Sequence, residues 1–216
     1  MQFTKNLFLA GAMASMAVGA GAIAATAGPT DPATAAAPIA SLERAATADV
    51  SPRIATLAKL DALEEWSPSV TGAKSIKAGS ESWTVLAGRN GSLCANFGED
   101  ALTCAYPDRV RRGDFALTQI APPTGAAAEA LAAAARGEVT QAELANLEVP
   151  AMPAVRRAIV ADGAVTARAL DAKGNELHST KVIGNTYTLP LGREGEAERV
   201  ELLDGTGRIL ASVAAF

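Results

Sequence analysis

The side chains that carry most enzyme chemistry are scarce in this sequence. Its 216 residues include one histidine, His178, and two cysteines, Cys94 and Cys104. Histidine has the ordinary pKa nearest neutrality and is the commonest general base. His178 stands beside Ser179 in a run that reads as a strand, where consecutive side chains point to opposite faces. The two therefore do not form a base and nucleophile, and His178 reads as a surface residue. With one histidine, and with both cysteines expected to be bridged, a zinc site of the usual ligand types is not expected. We assign no catalytic residue, no metal and no cofactor.

Excess positive charge is also missing. Nineteen basic residues face 23 acidic ones, a net charge of −4. The only basic cluster, Arg109, Arg111 and Arg112, is flanked by Asp108 and Asp114 and reads as a solvated turn, so nucleic acid is not an expected partner. Other patterns stop short of known motifs. Gly72-Ala73-Lys74-Ser75 lacks the second glycine that a phosphate loop places before its lysine. Asp171 to Glu176 has one carboxylate in its first five positions, too few for a calcium loop. Asn90-Gly91-Ser92 matches a glycosylation sequon, but Gly88 to Gly91 between two strands is first a hairpin signal. Nothing singles out two of the carboxylates as a glycosidase pair.

What is present begins with the N-terminus. Lys5 is followed by an uncharged run from Leu7 to Thr30, the layout of a secretory signal peptide over residues 1–27. Ala25 and Ala27 form the small-residue cleavage site ahead of Gly28; the similar pair Ala35 and Ala37 is followed by Pro38, which signal peptidases reject. Large apolar residues are sparse within the run, which disfavours a permanent membrane helix. Membrane attachment is expected only through an uncleaved N-terminal segment. Cleavage removes one charge, Lys5. Half the composition is apolar, but much of that is alanine, so the core is thinner than the fraction suggests.

Residues 28–50, rich in Ala, Pro and Thr, read as a flexible tether. Ser51 as N-cap and Pro52 at the first helical position start a helix expected to run to about Trp66. Its apolar residues Ile54, Leu57, Leu60 and Leu63 recur every three positions, which drifts the stripe backwards by about 60° per step. Strands are expected at Trp83 to Ala87, Ser92 to Phe97, Ala101 to Ala105 and Phe115 to Ala121, giving a helix plus disulfide-bonded β hairpin region over 51–123. Residues 124–153 read as a helical insertion: an alanine-rich helix from Ala126 to Arg136, then a second helix capped by Thr140 and Glu143. Residues 154–216 form a C-terminal antiparallel β region, sandwich-like, punctuated by turn signals such as Asp162-Gly163, Asp171 to Gly174 and Gly184-Asn185. The expected fold class is α+β.

The cysteine pair supports the strongest local argument. If Gly98-Glu99-Asp100 is a three-residue hairpin loop, Cys94 falls opposite Cys104. Directly opposed residues have Cα atoms about 4.5–5.5 Å apart, within reach of a disulfide. Closing the loop contributes about 2.8 kcal/mol in the chain-entropy model, and the bond implies an oxidising compartment.

Trp83 to Gly88 with Gly91, Cys94 and Cys104, followed by Val160 to Val165 with Gly174, Asn185 and Tyr187, resemble uncharacterised exported proteins of actinobacteria, a group with no assigned function. The resemblance spans about residues 80–190 and implies export and the disulfide, with no catalytic residues. Ala161 stands where such proteins commonly carry proline. The function expected is a non-catalytic extracytoplasmic binding or structural protein, secreted or associated with the cell envelope, with an envelope or extracellular partner. The alternative is a secreted enzyme or enzyme inhibitor using loops on the β scaffold.

Overall fold

A computed structural model describes residues 39–98, 101–138 and 152–216. The signal-peptide segment, the cleavage-site residues Ala25, Ala27 and Gly28, and the helix expected from Thr140 lie outside these. The fold is α+β and mostly antiparallel β. The first sheet orders its strands β1 (Ala46–Thr47), β2 (Ser69–Ala78), β3 (Glu81–Ala87), β4 (Leu93–Asn96) and β5 (Thr103–Ala105) as neighbours in sequence. Around it lie three short helices, α1 (Ala40–Arg44), α2 (Pro52–Leu57) and α3 (Pro107–Arg111).

Cys94 pairs with Cys104 across β4 and β5, flanked by Leu93 with Ala105 and Ala95 with Thr103. The disulfide is formed, with the Cα atoms 4.0 Å apart. Ser51 caps α2 by accepting a hydrogen bond from the Ile54 amide at 3.3 Å. The helix ends at Leu57, well before Trp66. Apolar residues at every third position cannot stay on one face of a long helix, and the chain instead breaks after α2 into a second, 3-10 turn at Asp61–Leu63. That break lets Ile54, Leu57, Leu63 and Trp66 all reach one core beside the disulfide.

Part of the expected tether is folded. Ile39 is buried with Trp83 and Phe97, and β1 pairs with β2. The segment is short of large apolar groups, but one buried isoleucine and two backbone ladder positions anchor it. Its α1 is also held from a distance. The Ala40 amide donates to Asp162 Oδ1 at 3.0 Å and the Ser41 amide to Asn185 Oδ1 at 3.2 Å. Asn185 in turn donates to Asp162 at 2.8 Å. Two turn residues of the C-terminal region thus fasten the N-terminal segment.

The remaining strands form two sheets. One orders β10 (Thr186–Arg193), β7 (Pro153–Ile159) and β6 (Ala116–Ile120); the other orders β12 (Ile209–Ala214), β11 (Arg199–Leu203), β8 (Thr166–Leu170) and β9 (Glu176–Lys181). Both contribute to one core of Ala154, Ala158, Ala167, Leu189, Val200 and their neighbours. The sequence pattern divides the chain at 123/124 and 153/154, but β6 crosses that division by pairing along its length with β7. Phe115 and Ile159, beside this ladder, pack into the aromatic core of the first region. The insertion, with α4 (Ala126–Ala135), therefore joins two antiparallel neighbours of one sheet.

Candidate functional site

A groove of about 780 Å³ opens where α3, β6 and β12 meet, beside Thr103 and Cys104 of β5. Four arginines line it: Arg109, Arg111 and Arg112 from α3 and its C-terminal end, and Arg156 from β7. Pro107 at the first helical position starts α3, which is only five residues long. Gly113, at φ 76°, then turns the chain toward β6. Its left-handed backbone favours glycine, and a Cβ there would lie 2.4 Å from Leu202 Cδ1. The arginines thus stand close against β11 and β12.

Arg156 is the unusual member. Its register opposite Thr118 places it on the same face of β7 as the core residues Ala154 and Ala158. The side chain is only 5% exposed. Nη1 donates to the Ala214 and Ala215 carbonyls at 3.1 and 3.3 Å, tying the end of β12 to β7. Nε and Nη2 are closed off from solvent, and the guanidinium lies beside the Tyr187 hydroxyl. A buried charge is costly unless it is paired and fully hydrogen-bonded. The nearest counter-charge, Asp114 Oδ1, is 3.6 Å from Nη2. That carboxylate is shared, since Arg109 Nε donates to its other oxygen at 2.8 Å. Burial pushes the Tyr187 hydroxyl up in pKa, opposed by the charge of Arg156 and by a hydrogen bond with it.

Arg112 pairs with Asp108 one helical turn away at 2.6 Å. Arg111 makes no ion pair among the described residues. The arrangement is a basic groove with spare guanidinium donors, suited to carboxylate or other oxyanion groups. The basic trio of α3 and its C-terminal end is therefore not only a solvated turn; it is one wall of a groove that Arg156 completes. A signal for Arg156 existed in the sequence. Alternation along Ala154, Arg156 and Ala158 puts an arginine in line with two small apolar residues.

The other sequence candidates are dispersed. His178 and Ser179 are both exposed on β9, opposite Ala169 and Arg168. Asp171 closes its turn by accepting from the Lys173 and Asn175 amides at 2.9 and 2.8 Å. The Asn90-Gly91-Ser92 stretch forms the turn between β3 and β4, with Ser92 buried. Gly88, in the same turn, is required by close approach: a Cβ would sit 2.5 Å from the Trp66 carbonyl oxygen. No three His, Cys, Asp or Glu side chains gather as a metal site among the described residues. No helix among them is long and apolar enough to cross a membrane. The disulfide indicates an oxidising, extracytoplasmic environment. Comparison with protein families, with curated proteins and with solved structures found no match to this chain.

Proposed function

We propose that this is an exported, non-catalytic binding protein whose binding site is the arginine-lined groove. The observation that carries the reading is the convergence of Arg109, Arg111, Arg112 and Arg156 on one groove, where Arg111 makes no ion pair among the described residues and Arg109 and Arg156 share the single carboxylate of Asp114. A ligand with oxyanion groups would pair with the guanidinium of Arg111 and with that of Arg112, whose side chain is 66% exposed. Export follows from the signal layout of residues 1–27, with maturation at Gly28, and agrees with the resemblance to exported actinobacterial proteins. The C-terminal sheets, packed on a shared alanine-rich core, serve as a sandwich-like scaffold that presents the groove at its edge.

A photo-crosslinking residue at Ile120, on the groove rim, tests the reading against the same residue at Lys181 on β9, the far edge of the sheet that ends in β12. Adducts in the native cell envelope are expected from Ile120 and not from Lys181, and R111E/R112E abolishes them. Equal adducts from both positions, or adducts indifferent to R111E/R112E, would remove the groove as the site. Intact mass of the exported protein checks maturation; a species retaining Met1 and found only in membranes would make it an anchored protein.

A further inference from the structure

The free strand edges at the groove decide what kind of ligand fits it, and this inference rests on the groove being the binding site. β5, β6 and β12 are each the terminal strand of a different sheet, and all three border the groove. In β6 the odd-numbered residues carry the ladder: Ile159 donates to the Phe115 carbonyl at 3.0 Å and Ala121 to the Pro153 carbonyl at 2.8 Å. Hydrogen-bonded and non-hydrogen-bonded pairs alternate in an antiparallel ladder. The continuous register from Ala116 with Ala158 to Ile120 with Ala154 therefore turns the N–H and C=O groups of Ala116, Thr118 and Ile120 to the free side. These three residues line the groove.

Natural edges are blunted by charge, proline or a bulge; β6, Ala-Leu-Thr-Gln-Ile, has none of these. Beside it stand the exposed apolar side chains of Ile120, Leu210 and Phe216. The groove is complementary to an acidic partner: four arginines line it against Asp114, with Asp108 held by Arg112, on a chain whose net charge is −4. We infer that the groove binds an extended peptide segment of a partner protein as an added strand on β6, with carboxylate side chains of that segment against Arg111 and Arg112. Main-chain pairing supplies affinity, and the arginines select acidic segments.

The test uses the mature protein and synthetic heptapeptides: acetyl-Asp-Asp-Val-Thr-Val-Thr-Val-amide, its counterpart with both aspartates at the C-terminal end, and versions with lysine in place of aspartate. One aspartate peptide is expected to bind at least about tenfold tighter than its lysine version, with an affinity that falls as salt rises. It protects the Ala116, Thr118 and Ile120 amides from hydrogen exchange, and R111E/R112E weakens it by about tenfold or more at unchanged thermal stability. Ile120→Pro removes one outward N–H at a strand end where proline is tolerated, and loses the binding too. No binding by either aspartate peptide at millimolar concentration, equal binding of the lysine peptides, or binding without protection of β6 would each overturn the inference. If Ile120 crosslinks still depend on the arginines, only the peptide class is wrong; if they fail as well, the groove itself is not the site.

Discussion

The first region, up to Phe115, and the C-terminal region beyond it bury their sheets with different materials. Trp66, Trp83, Phe97 and Phe115 are fully buried in the first, with Trp83 and Phe97 in edge contact at 4.9 Å and the disulfide alongside. The C-terminal core holds Ala154, Ala158, Ala167, Ala169, Ala197 and Ala215 with a few leucines and valines, and one aromatic, Tyr187. Large rings fill space and contribute much buried area per residue. Alanine contributes little area but allows close approach of neighbouring backbones. The first region is thus stabilised by bulk and a covalent bond, the second by close fit and polar turns. The second is also the region that accommodates a buried arginine. It follows that truncation should harm the first region most, and enlargement or protonation the second.

The largest expected effect is Trp83→Ala, which should cost about 3–5 kcal/mol, read by urea denaturation. Because Phe115 and Ile159 join the two regions in one core, fluorescence and far-ultraviolet dichroism should report one coincident transition. Two separated transitions would break the comparison into independent domains. Replacing Cys94 and Cys104 by alanine should lose about 3 kcal/mol, the loop-closure contribution. A loss below about 1 kcal/mol would mean that the unfolded chain is already constrained near the hairpin.

Enlargement tests the other core. Ala167→Leu, at a fully buried position, should destabilise by about 1–3 kcal/mol through overpacking. A neutral result would show slack between the C-terminal strands that the alanine content does not suggest. Asn185→Ala should cost about 1 kcal/mol from the lost hydrogen bonds to Ser41, Val160 and Asp162. Exchange of the amides at residues 40–45 should rise more than that of β3 and β4.

The smallest effect is on acid stability. Burial raises the pKa of Glu201, but hydrogen bonds from Arg168 at 2.8 Å and Arg199 at 3.1 Å outweigh it and hold the carboxyl below its ordinary 4.5. Asp204, bonded by the Thr206 hydroxyl and amide, is lowered to about 2. A carboxylate depressed in the folded state contributes stability that is present above its unfolded value and is lost as pH falls through the folded one. Protection from exchange, measured against the intrinsic rate at each pH, should therefore fall in β8, β11 and β12 below about pH 4.5 before it falls in β2 to β4. Glu201→Gln should remove most of the difference.

Sequence alone determined the local features. The Cys94–Cys104 pairing follows from symmetry about Glu99, because an antiparallel hairpin opposes residues equidistant from its loop. The start of α2 follows from Ser51 and Pro52, whose capping chemistry acts within one turn, and Gly184-Asn185 supplies the two positive φ angles of a tight turn. Only the tertiary structure decided the rest. β2 contains Gly72-Ala73-Lys74-Ser75, which has no strand pattern of its own; its Lys74 and Ser75 are held by ladders to β3 on one side and β1 on the other. Residues 39–47 are ordered because a pocket for Ile39 and acceptors on Asp162 and Asn185 come from far along the chain. The groove depends on Arg111 and Arg156, 45 positions apart, meeting where the edges of three sheets converge. Periodicity and capping act over a few residues, whereas convergence of sheet edges is a property of the packed whole.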